Sequence, residues 1–94
     1  MAEEFTHGDI LRHFKRETAD PEGTEYLYLY LGTAEHTETG EKLVIYRALY
    51  GEQRVFARPY EMFYGETDHD KYPQYLQKYR FEYASDTDLK ALGK

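Results

Sequence analysis

His36 and Glu38 stand two apart in AEHTETGEK. On a strand that spacing puts an imidazole and a carboxylate on one face, where they can act as an acid–base pair or supply part of a metal site. The competing reading is a loop-edge histidine beside an exposed glutamate at the cap of a hairpin. Arg58 precedes Pro59 at the end of an apolar run, and its fork of donors suits a carboxylate or phosphate, or an internal pairing with Glu61 or the turn carbonyls. Tyr46 and Tyr50 alternate on one strand and, with Phe56, offer an aromatic floor for a peptide, a base or a modified side chain; core packing explains them equally well. His13, after a short apolar run, completes the candidate ligand-binding set of His13, His36, Glu38, Tyr46 and Arg58.

Other chemistries find less support. A stable metal site needs three or four convergent ligands, and the chain offers four His, no Cys and no H-E-x-x-H, so neither a metal nor a cofactor is expected. Ser85 is the only serine, and neither G-x-S-x-G nor a P-loop occurs, which argues against serine hydrolysis and against a phosphate cradle of glycines.

The elements that must position these residues are short strands. Ile10 to Phe14 reads as a first strand and Glu25 to Ala34 as a second, with Tyr26, Tyr28 and Tyr30 on one face and Leu27, Leu29 and Leu31 on the other. The polar segment containing Gly40 reads as a hairpin connection to a third, central strand, Leu43 to Tyr50. Gly51-Glu52-Gln53 turns into a fourth, Arg54 to Arg58, which Pro59 ends because proline cannot donate to a ladder. Tyr60 to Tyr64 is expected to form one helical or 3₁₀ turn, with Met62 and Phe63 plugging the end of the fold. Pro73 can open a short helix or sit in a long loop; Tyr79 to Tyr83 alternates as a last strand. Ser85 and Asp88 form a capping-box pattern ahead of a short C-terminal helix.

This pattern predicts a mainly β fold: a small, strongly bent SH3-like barrel of about five strands over residues 9–84. Residues 1–8 are read as a loosely attached arm and 85–94 as a tail or short helix. An OB-like barrel is disfavoured, since the turn at Gly51 leaves no room for its usual helix. With 94 residues the chain is one domain, and without cysteine its core must hold the fold alone. An acidic N-terminus and no long apolar stretch point to a cytoplasmic protein with no membrane contact. Its formal net charge of -6 makes nonspecific nucleic-acid binding unfavourable. Lys15, Arg16, Arg47, Arg54, Arg58, Lys71, Lys78 and Arg80 form no run and read as solvated surface.

RHFK, AEHTETGEKLVIYRALYG, ARPYEMF and RFEY, in this order from His13 to Tyr83, resemble the domain-of-unknown-function family numbered 1653. The resemblance implies a small bacterial SH3-type barrel with no established activity. Its motif positions here are His13, Phe14, His36, Glu38, Thr39, Tyr46, Tyr50, Arg58, Pro59, Met62 and Phe63. Two departures stand out: Lys15 is followed by Arg16 and a longer acidic loop, and Phe56 takes the place of a tryptophan in the segment ending at Pro59. The reading that follows is a non-catalytic binding module, monomeric or homodimeric, for a small ligand, a peptide or a partner protein. The alternative is a small enzyme on a nucleotide-like or other anionic substrate, with His36 and Glu38 as acid and base and Arg58 as the anion clamp.

Overall fold

Five antiparallel strands make one sheet in a computed structural model that describes residues 4–93. They are β1 (Ile10–His13), β2 (Leu27–Glu35), β3 (Lys42–Ala48), β4 (Val55–Pro59) and β5 (Phe81–Tyr83), in the order β4-β3-β2-β1-β5. A 3₁₀ turn, Phe14–Thr18, follows β1; helices α1 (Tyr60–Phe63) and α2 (Asp86–Ala91) follow β4 and β5. The fold is therefore mainly β, with the short helical turn after the fourth strand and the C-terminal helix both in place. No helix among the described residues is long and apolar enough to cross a membrane.

Cross-strand register explains which side chains share the inner face. Leu11 lies opposite Tyr28, Tyr28 opposite Ala48, Tyr30 opposite Tyr46, and Tyr46 opposite Phe56, so these residues project from one side. Leu11, Tyr28, Tyr30, Val44, Tyr46, Ala48, Phe63, Tyr64 and Phe81 form the core on that side, joined by Phe5. Phe63 from α1 stacks on Phe81 of β5 with centroids 4.2 Å apart and planes at 10°. The ladder between β2 and β3 shifts register between Tyr30 and Gly32, and Gly32 has a φ of 150°, a backbone state that side chains oppose. That bulge adds bend to the longest strand.

The sheet curls but does not close into a barrel. β4 and β5 are its two edges, and no ladder joins them. β5 has only three residues, and Pro59 ends β4 without an N–H to offer. The edges meet through side chains instead, with the Arg58 guanidinium carbon 5.7 Å from the centre of the Phe81 ring.

Several local expectations change. Tyr26 has a φ of 65°, so β2 begins at Leu27 and Tyr26 drops out of the tyrosine face. Phe5 is only 6% exposed, packs on the rings of Tyr30, Phe63, Tyr64 and Tyr83, and donates its N–H to the Tyr64 hydroxyl, so the arm is docked there rather than loose. Residues 1–3 of that arm lie outside the described residues. Met62 is 50% exposed and only Phe63 plugs the core, because one helical turn cannot direct adjacent residues to the same side. Arg16 is not solvated surface: it is 4% exposed and bonded to Asp88. Pro73 lies in a turn and opens no helix.

Candidate functional site

His13 ends β1 and Arg58 sits one residue from the end of β4, both on the inner face. Because the sheet curls, these two ends of non-neighbouring strands reach the same cleft, a hollow of about 290 Å³. The 3₁₀ turn adds Phe14 and Lys15, α1 adds Met62, the segment before β5 adds Asp68, Lys71 and Tyr72, and Arg80 stands just ahead of Phe81. Four cationic side chains thus face one carboxylate.

Each is held by local structure. Arg58 donates from Nε to the Tyr46 hydroxyl at 3.3 Å and lies over the Phe81 ring, leaving its terminal nitrogens without a hydrogen-bond or ion-pair partner among the described residues. Tyr46 itself is 5% exposed, belongs to the core and is tied to the cleft only through Arg58, so the expected aromatic floor is not open there. Arg80 donates to the Met62 carbonyl, and Gly65 makes room for it: a β-carbon at Gly65 would stand 2.9 Å from the Arg80 guanidinium and 3.1 Å from the Glu61 carbonyl. The Lys15 and Lys71 ammonium groups each lie 5.3 Å from the centre of the Tyr72 ring. Asp68 is committed to its own loop, where Oδ1 accepts from the N–H groups of Asp70 and Lys71.

The loop carrying Lys71 and Tyr72 has little regular structure, yet it is pinned. Glu17 accepts from the N–H groups of Leu76 and Gln77, and the buried Gln77 amide donates to the Arg12 and Tyr79 carbonyls. Thr67 donates its N–H to the Lys78 carbonyl, and an isolated bridge joins Glu66 to Tyr79.

The cleft's cations are not neutralised by ion pairs among the described residues. The ion pairs among the described residues are Arg12–Asp88, Arg16–Asp88 and Arg54–Glu52; none uses a cleft cation. Burial, then the charges of Arg58, Lys15 and Arg80, push His13 down to about 4. Near neutrality it is uncharged. Its Nδ1 accepts the Lys15 N–H at 3.1 Å, which assigns the ring proton to Nε2 and leaves the histidine as one more donor.

His36 and Glu38 do not join this group. They lie in the turn between β2 and β3 and are absent from the cleft lining. His36 Nδ1 accepts from the N–H of Glu38 at 3.2 Å and, longer, from Thr39, while the His36 carbonyl accepts from Gly40. That is a hairpin cap, and it separates the supposed acid–base pair from the anion clamp. Among the described residues no three His, Asp or Glu side chains gather as a metal site. A larger hollow of about 500 Å³ lies against Glu41, Lys42 and Pro59 to Met62, but Lys42 already sits over the Tyr60 ring there at 4.3 Å and is balanced by Glu41 and Glu61.

Of the candidate residues, His13 and Arg58 line the cleft, and Tyr46 bonds Arg58 from the core. Lys15, Lys71 and Arg80 read in the sequence as scattered charges, and nothing local marks Lys71 or Tyr72, since an irregular loop brings them in.

Fold and site together define a small, mainly β domain with a cationic cleft at one end of a curled sheet. The chain matches the family described as Protein of unknown function (DUF1653) over residues 9–83 and belongs to it. No curated protein and no solved structure matches the chain.

Proposed function

We propose that this protein is a non-catalytic, cytoplasmic binding module that takes the anionic group of a small ligand or partner in the cleft of His13 and Arg58. One observation carries the reading: Lys15, Arg58, Lys71 and Arg80 converge without ion-pair partners around a neutral histidine. Like charges held together repel, and the cost is offset when an anion enters. The cysteine-free sequence supports the location. The same convergence argues against broad nucleic-acid binding, because it makes one small cleft rather than a stripe in a chain of net charge -6.

Calorimetric titration with inorganic phosphate and with acetate, at ionic strength held constant with chloride, tests this. Saturable binding of at least one anion is expected, weakened about tenfold or more in Arg58→Gln through loss of charge-assisted bonds. Absence of binding, or equal binding by Arg58→Gln and the parent, contradicts it.

A further inference from the structure

The cleft's donors and charges restrict which anion fits. Apart from Asp68, already engaged in its turn, its polar side chains present donors: the Arg58 and Arg80 guanidiniums, two ammonium groups and His13 Nε2–H. A carboxylate brings one charge and two oxygens to such a set. A phosphate monoester brings close to two charges near neutrality and three terminal oxygens, which matches an excess of positive charge spread over several directions. The free terminal nitrogens of Arg58 suit a phosphate edge in particular, since Nε is spent on Tyr46 and fixes the plane of the fork.

A second observation concerns what the phosphate is attached to. Met62 is half exposed and lines the cleft, and Phe63 beside it carries the packing of α1 against the core. The Met62 carbonyl is held by Arg80, and its half-exposed side chain leaves apolar surface beside the cleft, where a thioether packs well on a ring. The volume of about 290 Å³ is at the small end for ligand pockets, which suits one ring or short apolar body and not a polymer.

We infer that the ligand is a small phosphate monoester whose phosphate lies among Arg58, Lys15, Lys71 and Arg80 and whose apolar body rests on Met62. This deepens the anion-binding reading above and rests on it.

Titration of four probes at about pH 7.5, where phosphate is mainly dianionic, separates the two levels. The probes are inorganic phosphate, phenyl phosphate, acetate and benzoate. Phenyl phosphate should bind about tenfold or more tightly than benzoate, from its additional charge, and about fivefold more tightly than inorganic phosphate, from the apolar contact. Met62→Gln, at a half-exposed position that should fold normally, should abolish the advantage of phenyl phosphate over inorganic phosphate. If benzoate equals phenyl phosphate, the ester inference is overturned and the anion cleft stands. If Met62→Gln binds phenyl phosphate as the parent does, the placement of the body is wrong. If none of the four probes binds, the anion cleft itself fails and the inference falls with it.

Discussion

Replacing Asp88 by Asn should destabilise the fold far more than removal of a helix cap. Asp88 is 3% exposed, and both carboxylate oxygens are engaged. Oδ1 accepts from Arg16 Nε at 2.9 Å; Oδ2 accepts from the Ser85 N–H at 2.9 Å and lies 3.4 Å from Arg12 Nη1. The rest of the Arg16 guanidinium is bound to the carbonyls of Glu25 and Pro21, so it cannot swing out to water without losing those bonds. Asn removes the charge and, in either flip, points an amide donor at Arg16 or at Ser85. Leaving a buried charge uncompensated costs about 3–5 kcal/mol, against a total stability of about 5–15 kcal/mol for a domain. At about 4 °C or more per kcal/mol for this size, Tm should fall by about 12 °C or more. Ser85→Ala, which removes only the hydroxyl that accepts the Asp88 N–H, should cost about 1 kcal/mol. Urea and thermal unfolding at neutral pH measure both. The reasoning is refuted if Asp88→Asn costs no more than Ser85→Ala. Burial pushes the Asp88 carboxyl up, but the Ser85 N–H, Arg16, the Ser85 hydroxyl and Arg12 outweigh it and hold the group below its ordinary value. Its contribution is thus complete above the unfolded-state value of about 3.9 and is lost as pH falls through the lower folded value, so the parent and Asp88→Asn should converge in strong acid.

Other consequences follow from the same geometry. His13 titrates near 4 when folded and at the ordinary 6.5 when unfolded, so the unfolded chain binds more protons between these values and stability should fall as pH drops from 6.5 to 4. His13→Asn, which keeps an acceptor for the Lys15 N–H, should flatten that part of a stability-against-pH profile; an unchanged slope assigns it to other groups. Phe63→Ala should cost about 3–5 kcal/mol in urea unfolding, since the ring is fully buried and stacked on Phe81. Phe5→Ala should cost about 2 kcal/mol or more, whereas a loose arm would make it neutral.

What could be read from the chain, and what could not, divides along physical lines. Alternation sets Val44, Tyr46 and Ala48 on one face of the third strand but does not say that this face is the buried one, because Leu43, Ile45 and Leu49 make the opposite face apolar too; the Ser85–Asp88 capping box is present in full, because it depends only on neighbours within a turn. Arg58 and Tyr46 were singled out separately; that they bond each other follows from the β3–β4 register, which sets Arg58 opposite Val44 and Phe56 opposite Tyr46. Arg16 looked like surface because its partner Asp88 is 72 residues away. Lys71 and Tyr72 were illegible as site residues for a similar reason: Glu17 and Gln77 hold their loop through contacts that no periodicity encodes. His36 and Glu38 had site-like spacing, but spacing places two side chains together only on a strand, and here they cap a turn.

The most direct test of the cationic cleft is the NMR titration of His13 with and without inorganic phosphate at constant ionic strength. The free protein should show a His13 pKa of about 4. Burial holds it down first and the charges of Arg58, Lys15 and Arg80 add to that; saturating phosphate should raise it by offsetting those charges, and Arg58→Gln should weaken that response. A His13 signal that titrates near 6.5 in the free protein, or that phosphate leaves unmoved, contradicts the account.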